Sequence, residues 1–105
     1  MGVEILLYGE RPTRRARPLR GSYGHGEALA AVLARLPSGQ GRSGRIDPYR
    51  DTALNEQDAD AARAELPALA ALAGSPQQAA AVRDLGRMLA DCAATPGSWL
   101  LFVGD

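Results

Sequence analysis

Residues 99–103 read Trp-Leu-Leu-Phe-Val, an apolar run close to the end of a chain of 105 residues. Side chains of a strand alternate between two faces, so this run is apolar on both of them. Strands without a polar face are usually buried in the middle of a sheet. Residues 95–98, Thr-Pro-Gly-Ser, form a turn before the run. We therefore predict a C-terminal strand inside a sheet.

The other end of the chain carries a matching signal. Residues 3–8 read Val-Glu-Ile-Leu-Leu-Tyr and end at Gly9, and the side chains of Val3, Ile5 and Leu7 would share one face. This pattern predicts a first strand. The two ends of the chain should then be neighbours in one small sheet.

The residues between the two strands have helical patterns. Apolar residues spaced i, i+3, i+4 and i+7 predict a helix over residues 26–36. These residues are Leu29, Val32, Leu33 and Leu36. A second helix should begin at Asn55, an N-cap, and reach Leu66. Pro67 then either breaks it or begins a short segment that ends at Gly74.

The last helix has the fullest start signal in the chain. Residues 75–78, Ser-Pro-Gln-Gln, combine a cap, a proline at the first helical position and a glutamine at the third. An apolar stripe then runs to about Ala94. We predict one α+β domain spanning residues 1–105, in which about three helices pack on a small sheet that includes both terminal strands.

Composition indicates the compartment and the source. The chain has no apolar segment long enough for a signal peptide or a membrane span, and its lone Cys92 cannot form an internal disulfide, so we expect a cytoplasmic protein with no membrane partner. All twelve basic residues are Arg, and Ala and Gly are abundant. These residues have GC-rich codons, which points to a GC-rich bacterium.

Charge is distributed unevenly along the chain. Residues 1–50 carry an excess of five positive charges and residues 51–105 an excess of five negative charges, so the net charge is zero. Five arginines, separated by two prolines, lie between residues 11 and 20. Such a segment could contact phosphates, which makes a nucleic-acid-associated accessory protein the alternative function. No aromatic residue within the segment is available for base stacking.

The glycine-rich segment before the first helix does not predict nucleotide binding. Gly21 and Gly26 have the spacing of P-loop glycines, but Glu27 and Ala28 stand where a lysine and a hydroxyl residue are needed. A carboxylate there would repel phosphates. We therefore expect residues 21–26 to form a flexible turn.

No set of residues in the sequence indicates an enzyme. His25 is the only histidine, and Cys92, the one candidate nucleophile, falls on the apolar side of the last helix. A buried Cys without a cationic neighbour is normally inert. A zinc site needs about four ligands from Cys and His, and this chain has only His25 and Cys92. The sequence predicts no catalytic residue, no cofactor and no metal.

Residues 47–58 have acidic or amide side chains at positions 1, 5, 9 and 12 of an EF-hand loop. Tyr49 stands at position 3, where an EF-hand loop has a ligand, and Thr52 stands at position 6, where it requires glycine, so the segment does not fit a calcium-binding loop. A turn fixed by Pro48, followed by a capped acidic helix, explains the same residues. Tyr49 with flanking acids on such a turn could form a binding edge.

Residues 45–52, Arg-Ile-Asp-Pro-Tyr-Arg-Asp-Thr, followed by Leu54, Asn55 and an acidic helix, resemble a group of small uncharacterised bacterial proteins. So does the ending Trp-Leu-Leu-Phe-Val-Gly-Asp. Some members look like immunity proteins from contact-dependent or polymorphic toxin systems. The resemblance covers about residues 45–66 and 99–105 and departs at Arg50, where Gly would be expected. It implies no enzymatic activity.

We thus predict a non-enzymatic protein-binding domain, an immunity-like or antitoxin-like partner of a bacterial toxin. Tyrosine is enriched at binding hot spots, and acidic residues suit a basic partner. The predicted partner-binding residues are Asp47, Tyr49, Asp51, Glu56, Asp58 and Asp60.

Overall fold

The computed structural model describes residues 2–37 and 39–104. Its elements in chain order are β1 (Val3–Tyr8), β2 (Arg20–Ser22), α1 (Gly26–Leu33), β3 (Thr52–Asn55), α2 (Glu56–Arg63), α3 (Leu66–Leu72), α4 (Pro76–Ala93) and β4 (Trp99–Gly104). A short 3-10 turn lies at Ser43–Arg45. The predicted α+β class is confirmed.

The four strands form one antiparallel sheet in the order β2-β1-β4-β3. β4 is an interior strand, as its two apolar faces predict. β1 and β4 pair along their whole length, from Val3 opposite Gly104 to Tyr8 opposite Trp99. The two ends of the chain are therefore direct neighbours in the sheet, as predicted.

Helices pack on one face of the sheet. The residues on that face include Ile5 and Leu7 of β1 and Leu100 and Phe102 of β4, and none of them is more than 2% exposed. They form one apolar core with the buried sides of the helices. This burial is the main source of stability in a domain of this size.

The helix predictions hold except near some boundaries. Asn55 caps α2 by accepting a hydrogen bond from the Asp58 backbone N–H (2.8 Å), and Ser75 caps α4 in the same way. The segment predicted as one helix to Leu66 ends at Arg63, and α3 follows with Pro67 in its first turn. Within residues 2–37 and 39–104 the sheet is thus packed by four helices, where about three were expected. α1 ends at Leu33, three residues earlier than predicted.

The sequence did not predict the two short strands β2 and β3. Residues 21–26 were expected to be a flexible turn, but Gly21 and Ser22 belong to β2. The Ser22 hydroxyl donates a hydrogen bond to Asp84 on α4, and Arg20 pairs with Asp91 on the same helix (2.7 Å). β3 was interpreted only as part of a turn and cap. Both are edge strands fixed by long-range pairing, which short polar sequences do not reveal.

Within residues 2–37 and 39–104, no helix has both the length and the apolar character needed to cross a bilayer.

Candidate functional site

The turn before β3 holds the most exposed large aromatic residue among those described. Tyr49 is 69% exposed. The Asp47 carboxylate accepts a hydrogen bond from the Tyr49 backbone N–H (2.8 Å), and the Asp47 carbonyl accepts one from the Arg50 N–H (3.3 Å). Asp47 thus closes the turn through both its side chain and its backbone. This leaves the Tyr49 side chain facing solvent.

Contacts from outside the turn hold it in place. The Thr52 hydroxyl accepts a hydrogen bond from the Asp47 N–H (3.3 Å) and donates one to the Arg45 carbonyl (3.4 Å). Gly104 lies directly against the turn, because a β-carbon there would be 2.6–2.7 Å from backbone atoms of Arg50 and Asp47. The turn therefore packs on the end of an interior strand. Residues 47–50 and the last residue of β4 are therefore in contact here.

A groove of about 520 Å³ separates this turn from the end of α1. Its apolar lining includes Leu33, Leu36, Ile46 and Pro48, and Tyr49 also lines it. Leu36 and Pro48 are half-buried, so apolar surface remains open to solvent. The groove can accept an apolar side chain from a partner that contacts Tyr49.

The six predicted partner-binding residues do not form one cluster. Asp47 and Tyr49 line the groove just described, whereas Glu56 and Asp60 line a second groove between α2 and the end of α4, also about 520 Å³. Asp58 forms ion pairs with Arg45 (3.2 Å) and Arg42 (3.5 Å).

The other predicted acids differ in whether their carboxylates already have a hydrogen-bond or ion-pair partner. Glu56 accepts a hydrogen bond from the Gly97 N–H (2.9 Å), and Asp60 forms an exposed ion pair with Arg63 (3.3 Å). Asp51 is exposed and has no hydrogen bond or ion pair within residues 2–37 and 39–104. Among the predicted acids, the carboxylate most available to a partner is therefore that of Asp51, two residues from Tyr49.

Glu65 was expected to belong to the acidic helix, but it lies beyond the end of α2. Its carboxylate accepts hydrogen bonds from the backbone N–H groups of Arg42 (2.9 Å) and Ser43 (2.8 Å). Partial burial alone would raise the pKa of Glu65, but these hydrogen bonds and the nearby Arg42 charge outweigh it and lower that pKa. Glu65 holds the loop at residues 39–45, which forms one wall of the groove, a role with no signal in the local sequence.

The arginine-rich segment is not uniformly available for binding. The Arg11 guanidinium stacks on the Trp99 ring, 5.5 Å from its centroid, and Arg20 is engaged with Asp91. The other three arginines, Arg14, Arg15 and Arg17, are exposed and form no ion pair with any described residue.

Cys92 is fully buried on α4. Desolvation raises the pKa of its thiol above the ordinary value, although the Ser98 hydroxyl, 3.2 Å from the sulfur, works against the shift. His25 precedes α1 and makes no hydrogen bond to Cys92. Across the described parts of the chain, no group of three or more His, Cys, Asp or Glu residues is placed to hold a metal ion.

Comparison with known proteins found no matching family model, no matching curated protein and no matching solved structure. The resemblance to immunity-like proteins therefore stays a prediction.

Proposed function

We propose that this protein is a non-enzymatic protein-binding domain that acts in the cytoplasm of a bacterium as an immunity-like or antitoxin-like partner of a toxin. Tyr49 anchors the interface. The observation that carries the proposal is a tyrosine that is 69% exposed on a turn fixed against β4. An exposed aromatic side chain on a fixed turn favours binding, since tyrosine supplies a large contact area.

The fixed turn lowers the entropic cost of binding. Ordering a mobile loop at an interface consumes part of the binding energy. The hydrogen bonds of Asp47 and Thr52 and the packing on Gly104 order this turn before a partner arrives. The adjacent groove would receive an apolar side chain of the partner, next to the Tyr49 ring.

Charge favours a basic partner. Asp51 contributes a negative charge that forms no ion pair with a described residue, although the exposed Arg50 lies next to it in the sequence, and Asp60 adds a weakly paired negative charge on α2. Asp58 contributes less than its position predicts, because Arg42 and Arg45 already neutralise it. We expect complementary charge to speed association with a basic protein and to make the association rate decrease with salt.

The proposal is tested by capture from the native host with wild type and Tyr49→Ala as baits. The matched control is Tyr23→Ala, because Tyr23 is 62% exposed and lies outside the turn. We expect one protein that wild type and Tyr23→Ala retain and that Tyr49→Ala and Asp51→Arg lose. If folded Tyr49→Ala and Asp51→Arg retain every specific partner as well as wild type, this site is wrong.

The immunity role has a separate test. The captured partner is expressed in a sensitive bacterium, alone and together with this protein. We expect growth arrest by the partner alone, rescue by wild type or Tyr23→Ala, and weak rescue by Tyr49→Ala. A partner that binds through Tyr49 but harms no cell would leave the binding proposal standing and refute the immunity role.

Nucleic-acid association remains the alternative, supported by the three exposed arginines at residues 14, 15 and 17. Three phosphate contacts would give only weak binding with a modest salt slope. Tight binding of DNA or RNA at about 0.15 M salt, lost on reversal of Arg14 and Arg15, would favour this function over protein binding.

A further inference from the structure

An exposed aromatic side chain lies over the edge strand β2. The phenol end of Tyr23 covers Gly21, because a β-carbon on this glycine would be 2.6–2.8 Å from the Tyr23 ring and hydroxyl. The strand thus supports one part of the side chain, which is nevertheless 62% exposed. Leu19, two residues before Gly21, is 63% exposed. Two of the three exposed large apolar side chains among the described residues therefore lie at this edge of the sheet.

The loop that leads into β2 carries exposed positive charge. Arg14 and Arg15 lie in a turn that Thr13 closes, since its carbonyl and its hydroxyl both accept the same backbone N–H three residues on (3.2 Å each). Arg17 is also exposed, and none of the three arginines forms an ion pair with a described residue. Arg17 is four residues from Gly21, which limits their Cα–Cα distance to about 14 Å. The unpaired charges are therefore close to the Tyr23 ring.

Acidic residues confine the positive charge to one side of Tyr23. Glu10 is exposed at the start of the loop and offsets one of the three unpaired arginines. Glu4 and Glu27 line a groove on the other side, next to Gly24. An anion bound at the Tyr23 ring is therefore attracted toward the loop and repelled by the groove.

We propose that this edge of the sheet binds a short stretch of single-stranded nucleic acid, as an activity separate from partner binding at Tyr49. One unpaired base stacks on the exposed Tyr23 ring, and the phosphates that follow it run along the loop to the three unpaired arginines. Aromatic platforms combined with positively charged groups bind single strands without sequence preference. The arginine-rich segment has no aromatic residue of its own, and the fold supplies one from outside it.

The surroundings of Tyr23 distinguish it from Tyr49. Tyr49 borders an apolar groove and the unpaired carboxylate of Asp51, which suit a basic protein. Tyr23 lies beside three unpaired arginines, which suit phosphates. A base in a single strand has a face available for stacking, whereas a base inside a duplex is already stacked on both sides. The two surfaces therefore favour different ligands.

Charge and stacking contribute to this binding in different ways. The logarithm of the affinity for a single strand falls with the logarithm of the salt concentration by about 0.7 per phosphate contact, so three arginines give a slope of about −2. Stacking on Tyr23 strengthens binding about 5-fold or more without changing this slope. The total remains weak, with a Kd of about 10–100 µM at about 0.15 M salt. A site that bound only phosphates would favour a duplex, whose charge density is higher.

Fluorescence anisotropy tests the proposal with a labelled oligothymidylate of about 12 nucleotides, titrated with the purified chain at about 0.05–0.2 M salt. We expect saturable binding with a salt slope near −2, and weaker binding of a duplex of the same length. Tyr23→Ala should raise the Kd about 5-fold or more at an unchanged slope, and Tyr23→Phe should stay within about threefold of the wild type. Arg14→Ala/Arg15→Ala should leave one phosphate contact and a slope of about −0.7.

Matched controls are Tyr49→Ala, at the other exposed tyrosine, and Arg83→Ala, at an exposed arginine on α4. Both should leave the Kd and the slope unchanged, and thermal melts should show that every variant is folded. Partner binding at Tyr49 is therefore tested separately.

The proposal is overturned if the wild type does not bind the oligonucleotide at about 0.05 M salt, or if folded Tyr23→Ala binds it as tightly as the wild type does. It is also overturned if the duplex binds more tightly than the single strand. Competition by polyglutamate as strong as that by unlabelled oligothymidylate would identify a general site for acidic partners and refute nucleic-acid binding.

Discussion

Replacing Gly104 with alanine should destabilise the protein through the turn that presents Tyr49. The added β-carbon would lie 2.6–2.7 Å from backbone atoms of Arg50 and Asp47, closer than any ordinary contact. Backbone atoms cannot rotate away as a side chain can, so the turn itself has to shift. Overpacking of this kind costs about 1–3 kcal/mol. The lower entropy of the unfolded alanine chain offsets about 0.4–1 kcal/mol of that cost.

The clash is the larger effect, and the net loss should be roughly 1–2 kcal/mol. For a chain of this length that corresponds to a fall in Tm of about 5–9 °C. Thermal unfolding followed by circular dichroism measures it. Gly74→Ala is the matched control, because its β-carbon would meet only side-chain atoms at 3.4 Å or more. Equal Tm values for Gly104→Ala and wild type would refute the packing of the turn on β4.

Four further predictions concern the fold. Gly86→Ala should raise the free energy of unfolding by about 0.5–1 kcal/mol, because alanine favours the helix and the nearest atom, 3.3 Å away, belongs to the movable side chain of Leu66; an unchanged urea midpoint would contradict this. Asn55→Ala should lower that free energy by about 1 kcal/mol through loss of the α2 cap, and an unaltered melt would contradict the cap. Because the pKa of Glu65 is lowered in the folded protein, its carboxylate stabilises the fold at pH values above 4.5, the ordinary pKa of a glutamate, and this contribution is lost as pH falls through the lowered pKa. The free energy of unfolding of Glu65→Gln should therefore decrease less steeply below pH 4.5 than that of the wild type. Identical pH profiles of the two proteins would exclude the linkage. Buried Cys92 should react with Ellman's reagent about 100-fold more slowly in the native protein than in denaturant, and comparable rates would show that the thiol is accessible.

The sequence predicted the elements whose pattern is local. Residues 99–103 are apolar on both faces, so their place inside the sheet follows from the residues alone. Asn55 and Ser75 are caps with recognisable sequence patterns, and both act as predicted. The short strands β2 and β3 have no such pattern. Their conformation comes from pairing with β1 and β4 and, for β2, from the contacts of Ser22 and Arg20 with α4.

The candidate site was predictable only in part, for the same reason. Tyr49 and Asp51 could be singled out from the turn chemistry around Pro48, and the structure places both at the surface. The support from Gly104 comes from more than fifty residues away along the chain. The ion pairs that neutralise Asp58 depend on the conformation of the loop at residues 39–45, which carries Arg42 and Arg45. Charge patterns along a chain do not show which acids have found a partner.

The most direct test of the central claim compares two tyrosines in one binding measurement. Isothermal titration calorimetry with the captured partner would give the Kd of wild type, Tyr49→Ala and Tyr23→Ala. A binding anchor costs at least about 2 kcal/mol on truncation, so Tyr49→Ala should raise the Kd about 30-fold or more. Tyr23→Ala should stay within about threefold of the wild type. If the two folded variants bind equally well, or if Tyr23→Ala is the weaker one, Tyr49 is not the anchor and the turn is not the binding site.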